Sequence, residues 1–308
     1  THPYVGPCPP GSAVGDPCIP FPSDTLDGID NLDQFTQEFR FSSQASDRLF
    51  WQAGAFYFDS EFSVTTNPFF TPVPTTVVHE NTAWAVFGHV SYDISDSFNV
   101  TGGLRYTDDD KDLYGSGPTG GPIAPVSVAD EQVSWDLSAL FKVSEDFNVY
   151  GRLANGFRAP TIQGRDVAFF GAPSVADSET INSIEFGFKS QLADGRVRLN
   201  AAAFYYEVDD LQLSAIGGGG NFVQLVNADK GTGMGIDLDS EFLFTDRFMM
   251  TLGFSYTDTE IDDDTLVVPP CGSGLCTVLD PLDVNGRAII DGNSFTQAPE
   301  YVATVTAR

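Results

Sequence analysis

No stretch of this 308-residue sequence stays apolar for the roughly 18 residues that a membrane-crossing helix requires. That excludes a transmembrane helix. It does not exclude membrane-crossing strands, whose alternating faces leave no hydropathy peak. Basic residues are scarce: 15 Lys and Arg stand against 43 Asp and Glu, a formal charge of −28. So acidic a chain repels nucleic acid, and nucleic-acid binding is set aside. The three histidines, His2, His79 and His89, show no metal-ligand spacing. His79 beside Glu80 reads as an isolated loop pair. The glycine run Gly217–Gly220 lacks the Lys-Ser/Thr and the helix of a phosphate loop and reads as flexible loop. Nothing resembles a catalytic constellation, so an enzyme is not expected, and neither is a cofactor or a resident metal.

Cysteine is also sparse. Cys8/Cys18 and Cys271/Cys276 form two local pairs in Gly/Pro-rich sequence. They are expected to close two loop disulfides, which implies an oxidising compartment. The acids gather at Asp108-Asp109-Asp110, Asp209-Asp210 and Asp262-Asp263-Asp264, near the ends of expected strands. They read as solvated loop charge, with cation binding as the alternative.

What the sequence has in quantity is aromatic and alternating. It holds 26 Phe, too apolar a composition for a disordered chain. About eleven strand-like segments fall near 35–43, 49–62, 82–95, 97–110, 131–144, 146–158, 181–192, 195–208, 232–245, 247–260 and 299–308. Over 98–106 one face is Phe98, Val100, Gly102, Leu104 and Tyr106, while the other is Asn99, Thr101, Gly103 and Arg105. In 135–143 Trp135, Leu137, Ala139, Phe141 and Val143 share a face. A period of two held this long specifies strand. The segments exceed the ordinary soluble strand of about 5–6 residues and reach the roughly 9–11 that cross a bilayer obliquely.

The connections sort by parity. Every second one is tight: Gln44–Asp47, Ser95–Asp96, Ser144–Asp146, Ala193–Gly195 and Thr245–Arg247. The others are long, near 61–81, 111–130, 159–180, 209–231 and 261–298, and both cysteine pairs lie on the long side. Short periplasmic turns and long extracellular loops are the mark of an outer-membrane barrel. A repeat follows the tight turns: Asp96-Ser97-Phe98-Asn99-Val100, Glu145-Asp146-Phe147-Asn148-Val149 and Asp246-Arg247-Phe248-Met249-Met250. An aromatic closes the same face further on, at Tyr106, Phe157 and Tyr256. Eight residues at about 3.3 Å each, tilted by about 40°, span roughly 20 Å, which suits two aromatic girdles. The apolar face then meets lipid and the polar face a wet or plugged lumen. The expected fold is all-β, an antiparallel transmembrane β-barrel.

Several segments resemble the barrel of TonB-dependent receptors. Thr36-Gln37-Glu38-Phe39-Arg40-Phe41-Ser42-Ser43 followed by Trp51-Gln52-Ala53-Gly54-Ala55-Phe56-Tyr57-Phe58 is similar to an early hairpin of that family. Ala85-Val86-Phe87-Gly88 with Thr101-Gly102-Gly103-Leu104-Arg105-Tyr106-Thr107 is similar to the next. Gly156-Phe157-Arg158-Ala159-Pro160-Thr161 matches its strand-end signature. Ile184-Glu185-Phe186-Gly187, Asn200–Tyr206, Gly235-Ile236-Asp237-Leu238-Asp239 and Ala298-Pro299-Glu300-Tyr301 continue the series. The resemblance implies a 22-stranded barrel behind a globular plug, of which 33–308 would be a partial barrel of about 11 strands. Residues 1–32 would be an extracellular loop carrying Cys8/Cys18, and the plug would lie outside this chain.

The resemblance also implies a bacterial outer-membrane location and energised uptake of a scarce nutrient: a ferric siderophore, cobalamin or an oligosaccharide. The partners would be outer-membrane lipid, a small-molecule or glycan ligand, and the TonB complex acting through the plug. A passive porin-like channel and a soluble or surface-attached all-β interaction protein are the alternatives. Loop aromatics Phe69, Phe70, Phe169 and Phe170 are candidates for ligand contact. Arg158 and Arg165, flanking Pro160, are candidate anion contacts, with pairing to loop acids as the competing reading.

Overall fold

The computed structural model describes residues 25–68, 71–218, 222–272 and 279–308. Its main strands are β1 (Thr25–Ser46), β2 (Leu49–Pro68), β3 (Thr75–Ser95), β4 (Phe98–Ser116), β5 (Val126–Ser144) and β6 (Phe147–Arg158). Two short strands follow, β7 (Thr161–Gln163) and β8 (Ser174–Ala176), with a 3-10 turn over Arg165–Phe169 between them. Then come β9 (Glu179–Leu192), β10 (Val197–Gly217), β11 (Phe222–Thr245) and β12 (Phe248–Asp262). The two-residue strands β13 (Val267–Val268) and β14 (Ala288–Ile289) precede β15 (Tyr301–Ala307). Eleven strands form one sheet in the order β1-β2-β3-β4-β5-β6-β9-β10-β11-β12-β15, antiparallel throughout. It is an open meander with free edges at β1 and β15.

Exposure alternates strictly along β2 from Trp51 and along β5 from Val126. One face is crowded and the other open, as on the concave and convex sides of a curved wall. The open face carries the grease. Leu104 is 63% exposed, Leu137 47% and Phe141 45%. Trp135 and Phe244 are exposed with them, and Phe242, half-buried, stacks on Phe244 at 5.9 Å. No second layer covers this face among the described residues. A soluble sandwich would have turned these side chains inward.

Outward rings gather at two levels. Near the tight turns Phe pairs predominate, Phe98 with Phe141 (6.5 Å), Phe147 with Phe188 (5.5 Å) and Phe244 with Phe248 (5.5 Å), beside exposed Trp51 and Tyr92. Toward the long loops they carry polar tips: Trp84 with Tyr106 (5.3 Å) and Tyr256 with Tyr301 (5.2 Å). Rings with one wet end belong at a membrane–water boundary.

Four of the tight turns share one construction. Ser46, Ser95, Ser144 and Thr245 end their strands, and each hydroxyl accepts the backbone N–H two residues on, at 3.2–3.4 Å. A register shift precedes each of the four turns. An acid always follows the Ser or Thr, and an apolar residue then starts the next strand: Leu49, Phe98, Phe147 or Phe248. Local side-chain acceptance of an orphan N–H is what makes Ser and Thr good turn residues. The fifth turn differs. Ala193 (φ 55°), Asp194 (φ 56°) and Gly195 (φ 80°) carry it through left-handed backbone. Adjacent hairpins are also tied sideways. Asp93 N donates to Arg48 O, Lys142 N to Ser97 O, Gln191 N to Asp146 O and Leu243 N to Arg196 O, at 2.7–2.9 Å.

The strands run much further outward than the sequence reading placed them. Most of 61–81 is strand rather than loop, with β2 ending at Pro68 and β3 starting at Thr75; His79 and Glu80 therefore lie in a strand. β1 begins at Thr25, inside the stretch assigned to loop. β11 has 24 residues, about 80 Å of strand at about 3.3 Å each. The apolar band of such a barrel is only about 25 Å tall, so much of β11 stands clear of the membrane.

Candidate functional site

The inner wall is not uniformly polar, as alternation alone suggested. On β2, Phe50, Phe56, Phe58 and Phe62 all lie on the crowded face. Phe56 and Phe58 stand opposite Ala85 and Ala83 of β3, which are 1% and 7% exposed. Glycines make room for rings on this face. A Cβ on Gly54 would meet the Phe87 ring at 2.5 Å, and one on Gly187 the Tyr150 ring at 2.6 Å. Gly233 and Gly235 underlie Tyr206 and Phe204, whose rings stack at 6.2 Å.

The segment joining β6 to β9 does not project away from the wall. It folds onto the inner face and spans it from β4 to β11. On one side Lys111 Nζ donates to Pro160 O at 2.9 Å, and Gly164 sits against the fully buried Leu113 and near His79. His79 stacks on Phe62 at 4.7 Å. On the other side Val223 N donates to Asp166 Oδ2 (2.6 Å), Leu225 N to Ser174 Oγ (3.0 Å) and Asp177 N to Asn227 Oδ1 (2.8 Å).

Gln212 is the hub between them. Its amide donates to Ala159 O and Asp177 O, each at 2.9 Å, and its carbonyl accepts from Thr161 Oγ1 at 2.8 Å. Its backbone N–H donates to Glu179 Oε2 at 2.6 Å. A buried amide with both ends satisfied fixes a loop at low cost, because no polar group is left unpaired. The sequence reading missed Gln212. Asp210 (φ 56°) disturbs the alternation just before it, so Leu211 and Gln212 are both buried.

The 3-10 turn presents the candidate residues on this inner platform. Arg165 is half-exposed, pairs with the buried Asp166 carboxylate at 3.0 Å, and lies over the Phe169 ring at 4.9 Å. Phe170 closes the turn in left-handed backbone (φ 64°) and is 62% exposed. The next residue, Gly171, leaves no space for a side chain: its Cβ would sit 2.9 Å from Asp166 Cβ. Arg158 reaches Glu179 at 3.6 Å, on the neighbouring strand. The structure thus groups Arg165, Phe169 and Phe170 and leaves Arg158 at the β6–β9 seam. Phe69 and Phe70 lie outside the described residues, as do Cys8, Cys18 and Cys276. Cys271 is disulfide-bonded.

A second inner layer caps β10–β12. Val208, Leu211, Ala228 and Ile261 form a buried apolar cluster, with Leu266, Ile290 and Phe295 of the last long loop against it. Asp263 (5% exposed) organises that loop by accepting Asp229 N, Thr265 N, Thr265 Oγ1 and Leu266 N at 2.8–3.0 Å. Among the described residues no cluster of His, Cys, Asp and Glu could hold a metal ion.

A wall greasy outside, lined by rings and polar groups inside, and partly crossed by an inward-folded loop has the form of an outer-membrane barrel wall. The family model of the TonB-dependent receptor-like β-barrel matches residues 11–308. The chain belongs to the TonB-dependent receptor β-barrel family. Its place is the outer membrane of a Gram-negative bacterium. Among curated relatives, the pesticin receptor of Yersinia enterocolitica is 26% identical over 209 residues, 67% of this chain and 30% of that protein. The crystal structure of the ferric yersiniabactin uptake receptor FyuA from Yersinia pestis superimposes with TM-score 0.68 at 20% identity, covering 90% of this chain and 39% of that one. The siderophore receptor PiuA from Acinetobacter baumannii gives 0.65 at 15% identity, with 92% and 44% covered. The chain therefore spans under half the length of the relatives it matches, and these structures share its fold. The family is one of receptors and transporters.

Proposed function

We propose that the protein containing this chain is a TonB-dependent active transporter that takes up a ferric siderophore-type chelate. The carrying observation is the platform between β6 and β9. It is held inside the barrel wall by Gln212 and Asp166 and exposes Arg165 and Phe170 above the lumen. A guanidinium beside an aromatic face suits an anionic, ring-bearing chelate better than a neutral glycan. Of the relatives described, one is named for ferric yersiniabactin uptake and one as a siderophore receptor, which supports this reading over cobalamin or oligosaccharide. Recognition would fall to this chain's loops. Coupling to the TonB complex would fall to a plug, and outer-membrane lipid would be the surrounding partner.

The test is uptake by a strain lacking the full gene, supplied with iron-55 chelates of catecholate, hydroxamate and phenolate type, with maltodextrins as the glycan control. Loss of accumulation of one ferric chelate, restored by the wild-type gene and abolished by removing TonB, is expected. Unchanged iron uptake with lost glycan uptake would replace the substrate class. Accumulation independent of TonB would point to a passive pore.

A further inference from the structure

Among the described residues eight of the 15 Lys and Arg form ion pairs, including Lys111 with Asp109, Arg158 with Glu179, Arg165 with Asp166 and Arg198 with Glu241. Arg105, on the inner face of β4, does not. Among the described residues no carboxylate reaches ion-pair distance of it. Its side chain is nonetheless fixed. The guanidinium carbon lies 5.4 Å from the Phe56 ring centroid and 5.6 Å from that of Phe87, and Nε donates to Thr107 Oγ1 at 2.9 Å. One of the five guanidinium N–H donors is thereby used, and the terminal fork keeps its four.

Arg105 opens on a recess of about 330 Å³ lined also by His89, Ser134, Asp136 and Arg152. Asp136 lays its carboxylate over Gly103, 2.6 Å from where a Cβ would stand. Arg152 faces its register partner Glu185, but that carboxylate accepts the Tyr150 hydroxyl at 2.7 Å and forms no ion pair with Arg152. The recess thus offers two guanidiniums against the single carboxylate that lines it. Two rings shield Arg105 from water and hold its plane, so little side-chain freedom remains to be lost on binding. A planar fork of fixed orientation matches the two oxygens of a carboxylate.

We propose that Arg105 is a carboxylate-docking point on the inner wall, with Arg152 as the second donor. The carboxylate comes either from a dissolved organic acid or chelate in the lumen, or from an acidic side chain of polypeptide filling it. The chemistry is the same, and the test separates the sources. The proposal rests on the transport reading only in requiring an enclosed lumen. Its failure would leave the uptake experiment untouched.

The experiment uses the full-length receptor in detergent. Phenylglyoxal modifies accessible guanidiniums, and peptide mapping compares Arg105 with Arg247, exposed on a tight turn and in no ion pair among the described residues. An occupied fork labels about tenfold more slowly than Arg247, the ratio expected for one charge-assisted pair. Protection without added anion assigns the carboxylate to polypeptide. Protection that appears with citrate, and not with chloride at equal ionic strength, assigns it to a dissolved acid. Equal labelling of Arg105 and Arg247 under both conditions overturns the proposal. Packing alone could slow the reagent, so R105K and R105Q are compared for thermal midpoint with and without citrate. R105K is expected to retain part of the wild-type midpoint or of the citrate-induced rise, and R105Q none. Identical behaviour of the two variants overturns the proposal even where labelling is slow.

Discussion

Replacing Gln212 with Leu should release the inner platform without unfolding the barrel. The amide makes three side-chain hydrogen bonds to the β6–β9 segment, to Ala159 O, Asp177 O and Thr161 Oγ1. Leu fills similar volume but makes none of them. At about 1 kcal/mol net per neutral buried hydrogen bond, docking weakens by about 3 kcal/mol. That raises the undocked population by roughly 150-fold. The strand ladder is backbone-paired on both sides of residue 212 and is not touched. The assay is hydrogen exchange of the full-length protein in detergent, read by mass spectrometry. Amides of 161–176 should exchange about two orders of magnitude faster, while those of β4, β5 and β9 keep their protection. Affinity for the transported chelate should fall in step if Arg165 and Phe170 recognise it. Unchanged exchange in 161–176 would refute the hub. Equal acceleration across β9–β11 would show instead that Gln212 supports the wall.

The other expectations concern the wall, a ring–glycine pair and the last long loop. Leu137→Arg, on the outward face, should cost about 2–4 kcal/mol in a urea titration of barrel folding, whereas Ser138→Arg, one residue on and facing inward, should be nearly neutral. Gly233→Ala should cost about 1–3 kcal/mol, because its new methyl meets the Tyr206 ring, and adding Tyr206→Ala should recover much of that loss. Burial works to raise the Asp263 pKa, but four hydrogen bonds from Asp229, Thr265 and Leu266 outweigh it and hold the carboxyl below its ordinary range. A depressed folded pKa means the stabilisation is complete above the unfolded value of about 3.9 and is lost as pH falls through the folded one. With rates corrected for the intrinsic pH dependence of amide exchange, protection in 263–272 should therefore drop only at pH below about 4, and Asp263→Asn should leave it low and flat across that window.

The barrel wall was legible because lipid imposes a rule on every second residue. Over 98–106 and 135–143 the outward positions must be apolar, and the period shows directly. The tight turns were legible for a related reason, since three restarts repeat a short pattern that ends on an outward Phe, at Phe98, Phe147 and Phe248. The outer halves of the strands were not. Thr65, Thr66, Thr75 and Thr76 stand beyond the membrane with water or loops on both sides, so no face is forced to be greasy and the alternation fades. The inner aromatics were hidden by composition. Phe56 and Tyr57 are neighbours in sequence and point to opposite sides, and nothing local says which ring meets lipid. The candidate site was half legible. Arg165, Phe169 and Phe170 were singled out as loop residues, but their anchors, Gln212 and Asp166, act across 50 residues or more of chain.

The sideways bonds between turns stitch the sheet along its lower hem. Each hairpin hands one main-chain hydrogen bond to its neighbour, so a strand at that end is clasped from both flanks. Higher up, side chains such as Gln212 and Asp166 fasten the inward-folded segment to the ladder. A pull on one turn is therefore shared with the turns beside it, while a pull on the inner segment is resisted by a few side chains alone.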